Sequence, residues 1–398
     1  MNIPTFNRLL KAGIFLVLFL AFSPPVVGAA GEFTFGLTLG LTGRYEHVGQ
    51  MQSKGYRLWE KDINKTGGIL GRKVRIILYD DKSDPVTARI LYKKLIEEDR
   101  VDFLFAPYSS SITEAVLPLA QQHGYSLIAA GAAADRLWQS GYTNIFGLFT
   151  PASKIPVSFL EMTVTEGLQT LAIVYAGDPF STDIAEGTRK WAQWFGLDIV
   201  LDQPMAKHED KLNKLLKDIR EARPDILMVC GHLDEAVNLR LALWDTCHCH
   251  SSCQCWPRAF YTPVGPGLNA FYERLHEASN LIFSTSQWEK DGGFNKPGSQ
   301  EFIRSFKESY DQEPSYFAAT AYAAGQIMAT AITRVGSSDR QKINEALYNL
   351  DTMNIIGRYG VDRTGKSIKN FTMVIQVKDG RREVVWPLEL RTAKPEFE

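Results

Sequence analysis

The chain has 398 residues, 45% of them hydrophobic and 22% charged, with a formal net charge of −1. That is ordinary globular composition and excludes collagen-like or low-complexity chains. With no basic excess and no long charge run, there is no footing for a nucleic-acid partner.

Arg8 and Lys11 form a short basic region, Ala12 to Phe22 is an uncharged apolar run, Pro24-Pro25 breaks it, and small residues follow at Gly28-Ala29-Ala30. This is the layout of a secretory signal peptide. Residues 1–30 are therefore expected to be a leader cleaved near Ala29 or Ala30, with the mature protein exported to the periplasm. The apolar run is well short of the roughly 20 residues that span a bilayer, and no second stretch reaches that length. No Cys follows the run, so lipid attachment at a new N-terminal Cys is excluded. The rest of the chain exceeds what one hydrophobic core usually supports, so two domains are expected.

From Phe33 onward, β-like runs alternate with helical patterns. Phe33 to Leu39 reads as a strand, and Met51, Leu58, Trp59 and Ile63 share a helical face. Val74 to Tyr79 is a second strand. Ala88, Leu91, Tyr92, Leu95 and Ile96 follow the spacing of an amphipathic helix. Val101 to Ala106 is a nearly continuous apolar strand, as expected where both sheet faces are covered. Ser111 and Glu114 have capping-box spacing at the next helix, and Tyr125 to Ala130 is another strand. The alternation restarts after Thr150-Pro151. Strands are predicted at Thr170 to Tyr175, Asp225 to Cys230, Ala259 to Thr262 and Leu281 to Ser284. Helices are predicted at Ala185 to Phe195 and along Leu212, Leu215, Leu216 and Ile219. Phe302 to Val335 reads as purely helical, and Thr372 to Val377 and Glu383 to Leu388 have β character. Repeated strand–helix–strand units imply parallel sheets with helices on both faces. Two such series imply two similar α/β lobes.

Enzyme motifs are missing. No G-x-G-x-x-G follows the first strand, and there is no Walker A sequence, no G-x-S-x-G elbow and no H-E-x-x-H. The scattered histidines form no zinc pattern, and no cofactor is expected. Ser109-Ser110-Ser111 follows a strand and opens a helix, a place suited to an anion but equally to simple N-capping. Gly131-Ala132-Ala133-Ala134 follows the next strand; its small residues let a ligand approach the backbone, or form an ordinary loop. Cys230 stands alone, while Cys247, Cys249, Cys253 and Cys255 crowd together with His248 and His250. Disulfides or an inert surface loop, a soft metal and a local sequence error all fit that cluster. A metal-dependent activity there is the one enzymatic reading left.

The blocks GLTGRYEHVGQ (Gly40 to Gln50), INKTGGILGRKVRIILYDDKSDP (Ile63 to Pro85), APYSSSITEAVLPLA (Ala106 to Ala120), LIAAGAAADRL (Leu127 to Leu137), RAFYTPVGPG (Arg258 to Gly267) and EPSYFAATAYAAG (Glu313 to Gly325) now carry a specific likeness. From about Phe33 to about Leu388, the chain resembles the type I periplasmic binding proteins of branched-chain amino acid transporters, the leucine/isoleucine/valine-binding family. The resemblance implies two Rossmann-like lobes joined by three crossovers: 31–152 plus 285–354, and 153–284 plus 355–398. It implies a monomer that catalyses nothing, closes on a small-molecule ligand and presents itself to a membrane permease of an ABC uptake system. The alternative is a periplasmic sensor of the same fold that feeds a regulator or kinase.

Carried over residue by residue, the serine for the ligand carboxylate falls on Ser109 or Ser110 and the backbone group at the ligand head on Gly131. The covering aromatic falls on Phe180 and a second contact of that lobe on His232. Tyr45 and His47 lie in the first strand–helix loop, on the cleft side. Three positions depart from the family pattern: Ala133 replaces a hydroxyl residue, Val264 the acidic partner of an α-ammonium group, and Val48 the first-loop Tyr. An ammonium left without a carboxylate partner in a closed cleft is costly. The expected ligand is therefore a carboxylate or an amide rather than an ordinary branched-chain amino acid.

Overall fold

A computed structural model describes residues 31–205, 209–248, 257–292 and 296–398. The leader, Cys249, Cys253, Cys255 and the side chain of Cys247 lie outside the described residues.

The first series runs β1 (Phe33–Leu39), α1 (Glu46–Lys65), β2 (Val74–Asp80), α2 (Pro85–Glu97), β3 (Phe103–Phe105), α3 (Ser110–Gln122), β4 (Leu127–Ala129) and β5 (Ile145–Gly147). Its strands form a parallel sheet in the order β2-β1-β3-β4-β5. The second series runs α4 (Val157–Thr165), β6 (Thr170–Tyr175), α5 (Pro179–Phe195), β7 (Asp198–Pro204), α6 (Glu209–Ala222), β8 (Ile226–Cys230), α7 (Leu233–His248), β9 (Ala259–Thr262), α8 (Asn269–Leu275) and β10 (Phe283–Ser286). The chain then returns to the first lobe as α9 (Ser299–Tyr310), α10 (Tyr316–Val335), α11 (Arg340–Asn349) and the hairpin β11 (Thr352–Asn354) and β12 (Gly357–Tyr359). It ends in β13 (Met373–Lys378) and β14 (Arg381–Trp386). These two add antiparallel strands to the second sheet, whose order is β14-β13-β10-β9-β8-β6-β7.

The molecule thus has two Rossmann-like α/β lobes within one compact unit, and the chain passes between them three times. The third passage lies later than the expected 354. Gly365 still accepts from Gly147 N–H in the first lobe at 2.8 Å, whereas Thr372 C=O accepts from Ser158 in α4 at 2.9 Å.

Local chemistry explains the elements. Asp84-Pro85 and Asp178-Pro179 each pair a capping carboxylate with a proline whose missing N–H costs nothing in the first turn. β3, β8 and β9 are buried along their whole length, as parallel strands covered by helices must be. Helix α10 lies unusually close to α1. A β-carbon on Gly55 would come within 2.2 Å of Ala318 O, and one on Gly325 within 2.1 Å of Trp59, so both contacts require glycine.

Three sequence expectations are corrected. The stretch from Phe302 to Val335 is two helices. Asp311 ends α9 in a left-handed conformation (φ 49°), and Pro314 keeps its predecessor out of helical geometry. The cap of α3 is Ser109 rather than Ser111, because the helix already includes Ser110. β10 begins and ends two residues later than predicted, which brings Thr285 and Ser286 into the strand.

Candidate functional site

Both parallel sheets end at a common cavity between the lobes. Much of its lining sits just beyond a strand: Ser109 and Ser110 after β3, Gly131 and Ala133 after β4, His232 after β8, Pro263 and Val264 after β9, and Gln287 after β10. This is where open α/β sheets leave backbone groups free for ligands. Phe180, in the first turn of α5, completes the second-lobe wall. The empty space between the lining atoms is about 520 Å³.

The first-lobe wall is built from fixed dipoles. Ser109 caps α3, its Oγ accepting from Ile112 N–H at 3.4 Å. It does so at φ 74° and ψ 148°, a conformation that costs a non-glycine residue about 1–3 kcal/mol and is retained mainly at functional positions. Ser110 Oγ accepts from the N–H groups of Ala133 (3.2 Å) and Ala134 (3.0 Å). A hydroxyl has two lone pairs and one proton. With both acceptor positions taken, Ser110 has only its proton to offer the cavity. The first N–H groups of α3 lack intrahelical partners and carry the positive end of the helix dipole to the same spot. Gly131 is sterically required, since a β-carbon there would lie 2.6 Å from both Tyr108 Cδ2 and Gln52 Nε2.

The second-lobe wall is built from side chains. His232 is buried, with Nε2 at 3.3 Å from Asp178 Oδ1 and Nδ1 at 3.5 Å from the Tyr108 hydroxyl. Burial works against an ionised Asp178. The His232 contact and the two bonds from Ser181 outweigh it and hold the carboxyl well below its ordinary range. An ionised carboxylate only accepts, so His232 presents a protonated Nε2 to it. The imidazole packs against Phe180 (5.3 Å between ring centroids) and, across the cleft, against Tyr45 (5.1 Å). Beside this stack, Arg44 of the first lobe pairs with Glu235 of α7 at 2.6 Å, and Glu235 also accepts from His232 N–H at 3.0 Å. These contacts close the cleft mouth.

Of the residues expected at the site, Ser109, Ser110, Gly131, Ala133, Phe180 and His232 line the cavity. Tyr45 reaches its edge through His232 and Tyr108. His47 is exposed on α1 and is not among the lining residues. Val264 lines the cavity and Val48 is buried in α1 away from it. Sequence reasoning missed Tyr108, Phe149, Tyr316 and Phe317, which supply most of the aromatic surface. It also missed Thr285 and Gln287. Among the lining residues there is no Asp, Glu, Lys or Arg. Among the described residues, no group of three or more His, Cys, Asp or Glu is placed to hold a metal ion. No helix among them is long and apolar enough to cross a membrane. Cys230 is buried at the end of β8, where burial pushes its thiol up to about 12.

The family model for periplasmic binding proteins matches residues 32–382, nearly the whole of the described chain. The chain belongs to the periplasmic binding protein family. It is 24% identical over 353 residues to the leucine-, isoleucine-, valine-, threonine- and alanine-binding protein of Pseudomonas aeruginosa, covering 87% of this chain and 90% of that one. Among solved structures, it shares its fold with the branched-chain amino acid transporter substrate binding protein of Streptococcus pneumoniae in complex with isoleucine. That likeness has a TM-score of 0.78 and 21% identity, over 89% of this chain and 100% of the other. An ABC transporter solute binding protein from R. palustris, in complex with benzoate, matches with a TM-score of 0.76 and 20% identity, over 92% of this chain and 98% of the other. The resemblance drawn from the sequence blocks thus holds at the level of family and fold.

Proposed function

We propose that this protein is the exported solute-binding subunit of an ABC uptake transporter, and that it carries a small carboxylate with an apolar or aromatic body to a membrane permease without transforming it. The observation that carries the reading is the cavity's polarity. One end offers the Ser110 proton and the N-terminus of α3, both suited to an anion. The rest is largely aromatic or aliphatic, and no acidic side chain lines it. An amino acid would bring an ammonium group into a closed site without a carboxylate to meet it, and such burial costs several kcal/mol.

The solved relatives bracket the choice, one holding isoleucine and the other benzoate. Val264 favours the second kind, because a valine in this wall can receive a ring or a methyl group but not a charge. Titration calorimetry of the mature protein with leucine, benzoate and 4-methylpentanoate tests the reading. Binding of either plain acid with leucine at least about 10-fold weaker supports it. Tight leucine binding, with neither plain acid bound, overturns it.

A further inference from the structure

Gln287 is 7% exposed, its side chain lines the cavity, and among the described residues its Oε1 has no hydrogen-bond partner. Buried amide oxygens are rarely left in this condition, because the lost hydration is not replaced. The residue is also held firmly. Ser286 Oγ donates to Trp288 O at 2.8 Å and accepts from Trp288 N–H at 3.3 Å, so one hydroxyl ties Ser286 to the backbone of Trp288 across Gln287. The Trp288 ring is wholly buried, its indole N–H donating to Ser299 at 3.0 Å. The Gln287 carbonyl accepts from Lys296 at 3.4 Å. Thr285, within β10, and Gln287, just beyond its end, both line the cavity. Thr285 differs from Gln287 in being satisfied, through its bond to the Tyr261 hydroxyl.

A clamped, buried acceptor beside a satisfied neighbour is the arrangement of a recognition group. We propose that Gln287 is a specificity-determining residue that accepts a hydrogen bond from the ligand, so that the preferred ligand carries a neutral hydroxyl or N–H group in addition to its carboxylate. This rests on the carboxylate reading of the site and narrows it to hydroxy-, amino- or amido-substituted acids. The donor is neutral because no acidic side chain lines the cavity to balance a cation. It sits apart from the carboxylate, because the Ser110 end offers only donors to the ligand while Gln287, on the crossover after β10, offers an acceptor. Sites built around such a group discriminate strongly against analogues that lack it, since the analogue leaves the buried acceptor unpaired.

Matched pairs test this. The affinity of the mature protein is measured for benzoate against its three hydroxy and three amino isomers. At least one substituted acid should bind about 10-fold or more tighter than its plain parent, the size expected for a buried hydrogen bond gained. Q287M, similar in length and unable to accept the bond, should bring that ratio to within about twofold. The ratio is the readout, so a general weakening of the variant does not mimic the result. Plain acids that bind as tightly as every substituted one, or a ratio that survives in Q287M, would overturn the assignment and leave the carboxylate reading standing. If no acid of either kind binds, the carboxylate reading falls and the role of Gln287 with it.

Discussion

The two walls of the cavity are made of different material. The first-lobe wall has a polar end of backbone, hydroxyl and helix terminus, where Ser109, Ser110, Gly131 and Ala133 present fixed N–H and O–H dipoles on loops locked to strand ends, with the aromatic side chains of Tyr108, Phe149, Tyr316 and Phe317 beside it. The second-lobe wall is side chain: Phe180, His232, Pro263 and Val264. A wall of main-chain dipoles cannot be altered without moving the loops that carry it. A wall of side chains can be altered one residue at a time. The common demand, holding an anionic head, therefore belongs to the dipoles of the first wall, and the choice among ligand bodies belongs to the side chains, those of the second wall and Gln287 among them.

The sharpest way to break that division is to place a charge on the second wall. In V264E a carboxylate would face the proposed anion inside a closed site that is poor in water, where like charges repel far more strongly than in solvent. Affinity for benzoate or 4-methylpentanoate should fall at least about 100-fold, while leucine should gain affinity because its ammonium acquires a partner. Calorimetry with the three ligands reads both changes, and circular dichroism checks that the variant is folded. Unchanged acid binding in V264E would mean that Val264 does not face the ligand.

The next effect belongs to the first wall and separates its two serines. S110A removes the oxygen that receives two buried N–H groups and the hydroxyl proton it offers the cavity. Leaving such groups unmatched costs about 1–3 kcal/mol. The variant should therefore unfold at a temperature lower by several degrees and bind plain acids about 10- to 100-fold more weakly. S109A loses one long capping bond of 3.4 Å and should change affinity by less than about 10-fold. If S109A proves the more damaging variant, the carboxylate sits on the cap residue instead.

The contrast between the walls also accounts for what could be read from the sequence. β6 and β9 were predicted to the residue, because their apolar runs are bounded by breakers. The short β5 and the half-buried β7 were missed, the first for its length and the second because its burial is only partial. Phe180, His232 and Val264 came only from the family resemblance, whereas Ser109, Ser110 and Gly131 were legible as site positions because each follows a strand closely, where this topology puts ligands. Tyr316 and Phe317 were not. They open α10, reach the cavity only because Gly55 and Gly325 let that helix lie against α1, and in the sequence are indistinguishable from core aromatics. Tyr45 and His47 looked equivalent as loop neighbours, yet the start of α1 at Glu46 turns one toward the cleft and the other to solvent. Gln287 carried no periodic signal, because it lies just past the end of β10, on the crossover.

The smallest expected effect concerns closure rather than either wall. Asp183 on α5 accepts from Asp135 N–H, across the lobes, at 2.7 Å. Burial lifts its carboxyl to about 6, the nearby charges of Asp135 and Glu186 add to the rise, and the backbone bonds oppose it. Lys366 lies 3.9 Å from the far oxygen of Asp135 and softens that charge. In an open molecule Asp183 regains solvent and titrates near its ordinary value. The closed form therefore holds its proton more tightly. The stability this lends to closure is fully present below the ordinary carboxylate range near 4 and is lost as pH rises through about 6. Because Asp183 is only half-buried, solvent screens much of the effect, and affinity for a plain acid should fall no more than about two- to fivefold between pH 5 and pH 7.5. D183N keeps an oxygen to accept from Asp135 N–H and removes the charge, so its affinity should be flatter over that interval and at least equal to the parent's at pH 7.5. A D183N profile that falls as steeply as the parent's would place the titrating group elsewhere and reduce the Asp183–Asp135 contact to one that ionisation does not disturb.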